Sequence, residues 1–419
     1  MNITQVGGRL RAQIHDFSGK LSPRFPKPTR RFIEQMIYGM LVTQDVNLSK
    51  ISRSLGEDIS YKKTVNRLSV NLNYEGMAQE LVQEISRVGA SRVREGTLLI
   101  IDPTDLSKQH AKKMEYLATV RDGSTGELGP GYWMLNVLAG KAGGRKFVPL
   151  YQSLYSADAP QYVSENAEIF AAVDTIRLSS GNLGTWVGDR GLDRGRIFDG
   201  LLERKARFVI RLKANRTLKF RGHPRQVLDL ARGCPLWYRE RIVKEGKEGE
   251  KSYLLQFGFR AVKLPGRPDE LSLVVVTGFG EEPLMLLTNL QVRKSRRSLW
   301  TIVQSYLTRW LVEEAIRFTK QSFNLEDVRV LTYQRLCNMI ALVLAASYFL
   351  AVHLGESLRL SILTRKILKA SKRLYGISSF HYYALADGIS YILGRVRAGI
   401  WCPGAAPIPD RQLTLSGLF

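Results

Sequence analysis

The stretch SYLTRWLVEEAIRFTKQSF, residues 305–323, predicts an amphipathic helix. At about 100° per residue, Tyr306, Arg309, Glu313 and Lys320 fall within roughly a 60° arc, so four polar groups share one stripe. Leucine, valine, isoleucine, alanine and phenylalanine fill the other side and favour burial against a core. The alternative is an amphipathic helix whose charges are only solvated. The rest of the chain decides between these interpretations.

The charge balance indicates the class of partner. The chain has 62 Lys and Arg against 38 Asp and Glu, a formal charge of +24 over 419 residues. This excess is typical of proteins that bind a long polyanion and release its counterions. We therefore expect nucleic acid as the partner.

Three features of the sequence indicate where in the cell the protein is expected and which structural sites it is expected to lack. The amino-terminal sequence MNITQVGGRLRAQIHDF lacks the apolar stretch of a secretory signal, so we expect a cytoplasmic protein. The longest apolar run, 339–354, is shorter than a membrane span and contains Ser347 and His353, which favours a buried helix without a membrane partner. The three cysteines form no CxxC pair, which argues against a disulfide framework or a structural zinc site.

Residues 20–72 have a helical pattern that includes a candidate helix-turn-helix. In VNLSKISRSLGEDISYKKTVNRLSVNL, a first helix ends before Gly56 and a second carries Lys62, Lys63 and Arg67. A helix with this basic face suits the major groove of DNA. The alternative is an ordinary packed helical bundle.

The body of the chain alternates strand and helix patterns. The buried strand 98–101 is followed by strands 132–140 and 146–156, which the Gly-rich turn KAGGR joins as a hairpin. Helical segments SENAEIFAAVDTIRL and RIFDGLLERKA flank a short strand at Trp186, and a further strand covers 208–216. This order indicates an α/β fold.

Two aspartates follow strands of this body, Asp102 after 98–101 and Asp189 after the strand at Trp186. An aspartate at a strand end is often only a turn former or helix cap. The carboxyl ends of neighbouring parallel strands meet at one sheet edge, however, and a helix packed there can add Glu313. Such a trio of oxygen ligands suits Mg²⁺ or Mn²⁺, and two ions of this kind catalyse in-line attack on a phosphodiester.

Asp105 and Asp193 are rivals for the first two ligand positions, because each lies within four residues of the aspartate chosen. We prefer Asp102 and Asp189 because each directly ends its predicted strand, where the geometry is most rigid.

The chain resembles DDE transposases of the bacterial insertion-sequence group with a YREK signature, the insertion-sequence-four type. The signature is Tyr, two residues, Arg, three residues, Glu, six residues and Lys, and the stretch at 305–323 matches it at every position. IIDPTD around Asp102 and VGDRGLD around Asp189 supply the other matches. The resemblance implies an RNase H-like core in which Asp102, Asp189 and Glu313 are the catalytic residues and hold two Mg²⁺ or Mn²⁺ ions.

The resemblance also implies that signature residues Tyr306, Arg309 and Lys320 bind DNA phosphates and help to seat a displaced base. Arg317 and Trp310 lie near the same helix face, and Trp310 either stacks on a base or packs against the core.

Some relatives have a base-stacking tryptophan just before the strand that reads LLT here. This chain has Leu284 and Met285 instead, which leaves the hairpin route to double-strand cleavage open. Trp300 and Trp237 are possible substitutes.

The expected domain organisation has helical parts at both ends and a β-rich insertion inside the catalytic core. Its segments are 1–90 (helical, DNA-binding), 91–216 (core, first part), 217–297 (β-rich insertion), 298–354 (core, second part, with the Glu-bearing helix) and 355–419 (carboxyl-terminal helical region and tail).

The expected function is metal-dependent DNA cleavage at the ends of the element and strand transfer into target DNA by cut and paste. The partners are double-stranded DNA, both terminal inverted repeats and target, and a second copy of the chain in a homodimeric synaptic complex. The alternatives are an RNase H-like nuclease that only hydrolyses DNA, and a catalytically silent, domesticated DNA-binding protein.

Overall fold

A computed structural model describes residues 3–123, 125–246, 249–355, 358–371 and 382–396. Of the expected carboxyl-terminal region and tail, residues 372–381 and the Pro-rich segment WCPGAAPIPD with Cys402 lie outside these residues.

Five helices form the amino-terminal part, as the sequence predicted for most of it. They are α1 (Ile3–Leu21), α2 (Lys27–Thr43), α3 (Leu48–Leu55), α4 (Tyr61–Asn71) and α5 (Met77–Ala90). The Asn47 side chain caps α3 by accepting from the Ser49 amide, and Gly56 ends it in the left-handed region at φ 60°. The two helices of the candidate helix-turn-helix are therefore present.

The basic residues of α4 have different surroundings. Lys62 and Lys63 are exposed, and their contact with DNA stays a prediction. Arg67 instead donates to both carboxylate oxygens of Glu57, at 2.9 and 2.7 Å, and to the Gln35 side chain at 2.8 Å. Its guanidinium thus holds the turn after α3 against α2, and in this conformation it serves packing.

The body of the chain is built on a mixed sheet. Its first six strands are β1 (Thr97–Ser107), β2 (Ala118–Arg121), β3 (Leu128–Lys141), β4 (Phe147–Tyr155), β5 (Thr185–Gly188) and β6 (Arg207–Arg211). β1 is antiparallel to β3 and parallel to β5, β3 is antiparallel to β4, and β5 is parallel to β6. The order β4-β3-β1-β5-β6 with these directions is that of an RNase H-like core, so the predicted fold class is confirmed.

Two helices follow the strands of this core, and both were predicted. α6 (Glu165–Ser180) connects β4 to β5, and α7 (Gly195–Glu203) connects β5 to β6. The Ser164 side chain caps α6 by accepting from the Ala167 amide.

Six strands are described in the predicted insertion, and four of them continue the same sheet. They are β7 (Thr217–Phe220), β8 (His223–Gln226), β9 (Tyr238–Gly246), β10 (Gly249–Val262), β11 (Leu271–Thr277) and β12 (Leu284–Thr288), with α8 (Val227–Arg232) between β8 and β9. β12 pairs with β6, and β11, β10 and β9 follow outward, while β7 and β8 form a separate hairpin. Leu284 and Met285 are buried within β12, at 7% and 4% exposure.

Five helices complete the described chain: α9 (Arg296–Leu307), α10 (Trp310–Ser322), α11 (Tyr333–Ala351), α12 (Leu358–Ala370) and α13 (Tyr382–Arg395). By length and composition α11 alone among the described helices could cross a membrane, yet 78% of its apolar window is buried in the structure. That burial is typical of a core helix and agrees with the helix predicted from 339–354.

Asn338 of α11 joins the amino-terminal helices to the core. Its fully buried amide donates to the carbonyls of Leu72 and Tyr74, at 2.9 and 2.8 Å, and accepts from the Ala78 amide at 2.9 Å. Backbone groups in the turn between α4 and α5 thus depend on a single side chain of α11.

Replacing Asn338 with Leu should lower the free energy of unfolding by about 3 kcal/mol or more, because three backbone groups lose their partner in a buried site. Urea denaturation followed by circular dichroism measures the change. Asn66→Leu, on an exposed face of α4, is the control and should change stability little. Equal stabilities of the two variants would contradict this role for Asn338.

Candidate active site

Asp102 lies inside β1, not at its end, which corrects the sequence prediction. β1 continues to Ser107 because the long strand β3 pairs with it along its whole length, with Asn136 opposite Asp102. The parallel pairing with β5, however, stops at Ile100. Asp102 therefore lies just past the point where β1 loses its parallel neighbour.

Asp189 directly follows β5, as predicted. It caps a short 3₁₀ turn, and its Oδ1 accepts from the Gly191 amide at 2.7 Å. A side chain at Gly191 would approach that oxygen to 2.9 Å, so the glycine permits this tight turn. The same edge of the parallel strands thus carries both aspartates.

The predicted single helix over 305–323 is divided into α9 and α10 by a break at Thr308 and Arg309. The Thr308 hydroxyl donates to the Gln304 carbonyl at 2.7 Å and accepts from the Gly143 amide at 2.9 Å. A threonine bonded in this way to the preceding turn bends a helix. Gly143 lies in the turn between β3 and β4, so the hairpin fixes where α10 begins.

Glu313 and Arg309 face each other across the first turn of α10. The Arg309 Nη2 donates to Glu313 Oε1, and its Nη1 lies 3.9 Å from Asp102 Oδ2. The Arg309 guanidinium, 18% exposed, therefore lies between two of the three predicted carboxylates. The Glu313 side chain is 51% exposed, which leaves this side of the cluster open to solvent.

The three carboxylates interact electrostatically. Burial raises the pKa of Asp102 to about 7, the Arg309 guanidinium opposes that rise, and the charges of Asp189 and Glu313 add to it. Burial lowers the pKa of Arg309, but the charges of Asp102 and Glu313 outweigh it and the net shift is upward. The structure thus brings Asp102, Asp189 and Glu313 into one electrostatic cluster with Arg309 as its cation.

The donor set fits a divalent metal, but the cluster is not closed around one. Among the residues that the structure describes, no three His, Cys, Asp or Glu side chains are close enough together to hold a metal ion. The oxygen ligands are nevertheless the hard donors that Mg²⁺ and Mn²⁺ prefer. The cluster also needs positive charge, which Arg309 supplies in this conformation. Asp102, Asp189 and Glu313 stay the predicted ligands.

Of the two rival aspartates, Asp193 has structural partners. It is 3% exposed and accepts from the Arg216 side chain at 2.6 Å and from the Lys213 amide at 2.7 Å. These bonds turn the chain after β6, which ends at Arg211 instead of continuing to Arg216 as predicted.

Asp105, the other rival, is paired with the signature lysine. The Lys320 Nζ lies 3.4 Å from Asp105 Oδ2 and 3.1 Å from Glu326 Oε1. Lys320 thus lies along α10 from Glu313, beside the later part of β1, and its contact with phosphate stays a prediction.

The remaining predicted DNA contacts are divided between buried and exposed positions. Tyr306 lies in the last turn of α9 and is only 8% exposed, so it does not share a solvent stripe with the others. Its ring lies 6.0 Å from the Arg309 guanidinium carbon. Trp310 is 39% exposed, which favours an accessible ring over core packing. Arg317 is paired with Glu314 at 2.6 Å.

Trp300 and Trp237, the possible substitutes for the base-stacking tryptophan, differ in how exposed they are. Trp300 packs against Phe257 with ring centroids 5.7 Å apart, inside the fold. Trp237 is 38% exposed, and the Lys294 amine lies 4.6 Å from its ring.

Comparison with protein families matches residues 94–350 to the family described as "Transposase DDE domain", which is more than half of the chain. A search of curated proteins found no match. Among solved structures, the chain is similar to the cryo-EM structure of piggyBac transposase in a synaptic complex with hairpin DNA, at 15% identity and a TM-score of 0.46. The alignment covers 94% of this chain and 84% of that one.

Replacing Gly143 with Ala should destabilise the fold by about 1–3 kcal/mol, because the backbone there is strained for any other residue and the Gln304 side chain must also move away. Its φ is +71°, and a Cβ would lie 2.6 Å from the Gln304 side-chain nitrogen. Gly126→Ala is a matched control with φ +77° and nothing within 4 Å. Urea denaturation should show a larger loss of unfolding free energy for Gly143→Ala than for Gly126→Ala. An equal loss in both variants would show that the contact with Gln304 contributes nothing.

In metal-free buffer, stability should fall as the pH rises from about 4 towards about 7, the interval between the ordinary and the raised pKa of Asp102. Over this range the folded protein keeps a proton that the unfolded chain releases. Denaturation curves at a series of pH values in EDTA measure the slope, and Asp102→Asn should make it shallower. The same slope in both proteins would show that titration of Asp102 does not cause the pH dependence of stability.

Proposed function

We propose that this chain, which belongs to the DDE transposase family, cleaves DNA at the ends of its own element and joins those ends to target DNA by cut and paste. The supporting observation is that the charges of Asp189 and Glu313 both act on Asp102, which lies beside Arg309. The family match covers the whole span from the first to the last of these carboxylates.

Each carboxylate has a role in this proposal. Asp102, Asp189 and Glu313 would hold two Mg²⁺ or Mn²⁺ ions, and such ions would supply activation of a water or 3′-hydroxyl and stabilisation of the leaving oxygen. β1 and β5 fix the two aspartates at one sheet edge, while the half-exposed Glu313 adapts its position. The rigid pair and the adjustable third ligand together suit a site that must admit DNA before it closes.

We assign the chain to the YREK group on its spaced signature. Arg309 and Lys320 bind phosphates that flank the scissile bond, and Tyr306 supports Arg309 through its ring face. These contacts orient the DNA backbone for in-line attack.

DNA is the proposed partner, and its path follows the basic surface near the site. Beyond Asp105, β1 leads into a cleft of about 690 Å³ whose lining combines Lys108, Lys112, Lys113 and Arg329 with the acidic Asp122, Glu326 and Asp327. Lys108 fixes one wall by donating to the carbonyls of Glu326 and Val328 at 2.7 and 2.6 Å, and Arg329 is paired with Asp327 at 3.0 Å. Lys112 and Lys113 are exposed, and cations in such positions contact phosphates without reading sequence. Two element ends need two active sites, so we propose a homodimeric synaptic complex.

Changing any of the three carboxylates should remove the chemistry and leave binding intact. Asp102→Ala, Asp189→Ala and Glu313→Ala should each lose Mg²⁺-dependent nicking of DNA from the flanks of the reading frame, while gel shifts of that DNA change little. Glu314→Ala is the control, because Glu314 lies next to Glu313 but pairs with Arg317. Full cleavage by Glu313→Ala in Mg²⁺ would exclude the mechanism.

A strand-transfer assay with pre-cleaved ends separates transposase from the alternatives. A transposase joins the ends to target DNA, a nuclease yields only shorter products, and a silent DNA-binding protein yields neither. The joined product should require Mg²⁺ or Mn²⁺ and disappear in EDTA.

A further inference from the structure

The Arg309 side chain has two possible partners, the carboxylates of the proposed metal site and a DNA phosphate, and it cannot bind both at once. We propose that Arg309 neutralises Asp102 and Glu313 while the site lacks metal, and that metal binding releases it to a DNA phosphate. This inference rests on the proposed function, since it concerns the same site. It adds that Arg309 couples metal binding to DNA binding.

The contacts of the guanidinium show why both cations cannot occupy the cluster in this arrangement. One terminal nitrogen of Arg309 is bonded to Glu313 and the other faces Asp102, so oxygens of both carboxylates are directed at a positive charge. A divalent ion needs those oxygens and repels the guanidinium at contact distance. In this arrangement the described carboxylates are not close enough together to hold a metal. Metal binding therefore requires Arg309 to turn away.

The backbone around Arg309 permits its side chain to move while its base stays fixed. Thr308 is bonded to Gly143 and Gln304, and the Arg309 amide donates to the Tyr306 carbonyl at 2.9 Å. The side chain beyond this anchor is long and borders Glu313, which is half exposed. The Tyr306 ring, 6.0 Å from the guanidinium carbon, provides a face along which the arginine can turn. A released guanidinium would face the solvent side, where DNA must approach.

Two linked equilibria follow from this exchange. If metal releases a phosphate-binding group, metal strengthens DNA binding, and DNA must strengthen metal binding by the same factor. We expect a factor of about five or more, the lower end of common coupling strengths. One additional phosphate contact should also make the slope of log affinity against log salt steeper by about 0.9.

Binding experiments on the full chain measure this coupling without relying on activity. The probes are Mn²⁺ alone, by calorimetry, and a random-sequence DNA duplex, by fluorescence anisotropy in Mg²⁺ or EDTA over a range of salt. The variants are Arg309→Gln, Arg309→Lys and the control Arg177→Gln, which removes an arginine paired with Asp174 on α6.

In the wild type and in Arg177→Gln, Mg²⁺ should strengthen DNA binding about fivefold and steepen the salt slope. In Arg309→Gln, Mn²⁺ without DNA should bind several-fold more tightly than in the wild type, and Mg²⁺ should leave the DNA salt slope unchanged. Arg309→Lys keeps the charge but loses the paired contact, so its Mn²⁺ affinity should lie between the two. Because Arg309→Gln leaves carboxylates uncompensated, Mn²⁺ should also raise its melting temperature more than that of the wild type.

Two results would overturn the proposal. Weaker Mn²⁺ binding by Arg309→Gln would mean that the arginine orients the metal ligands instead of competing with the metal. If Mg²⁺ steepened the DNA salt slope of Arg309→Gln as much as that of the wild type, the metal itself would contact the phosphate. These outcomes are independent of the strand-transfer assay, so a failure here is distinguishable from a failure of the proposed function.

Discussion

Charge compensation of one buried carboxylate is the constraint on which the site depends. Asp102 keeps 16% exposure of its side chain, and two further carboxylates add negative charge near it. An isolated carboxylate in such a place would take up a proton or destabilise the fold. A cation beside Asp102 opposes that protonation, and Arg309 fills that role in this conformation. The sheet edge, the helix break and the course of α10 all serve to bring that cation to Asp102.

The scaffold fixes some ligands firmly and leaves others adjustable. Asp102 and Asp189 lie on or directly after strands of the core sheet, and Asp189 is also bonded to the Gly191 amide. Glu313 belongs to a helix whose start is held by Thr308, but its own side chain is half exposed. Glu313, the most exposed of these carboxylates, can therefore change partners by moving its side chain, with little movement of the backbone. Such a division is compatible with a site that binds metal and DNA together.

Much of this arrangement was predictable from local sequence. The apolar run before Asp189 marked a strand end correctly, because β5 is short and buried on both sides. The strand at Asp102 was predicted to end too early, since its length is set by pairing with β3, a partner that the local pattern does not reveal. The break at Thr308 was missed for a similar reason. It depends on Gly143, 165 residues away, and a helical wheel continued through the break made Tyr306 seem exposed when it is buried.

The spacing of the signature has a geometric explanation in the way α10 lies along β1. Glu313 and Lys320 are seven residues apart, which is about 10.5 Å along a helix at 1.5 Å per residue. Asp102 and Asp105 are three residues apart, which is about 10 Å along a strand. Arg309 links Glu313 to Asp102 at one end, and Lys320 lies 3.4 Å from Asp105 at the other. The two equal steps hold the helix in register with the strand. A shift of α10 by one turn would break both pairings together, and this makes the lysine part of the mechanism that positions Glu313.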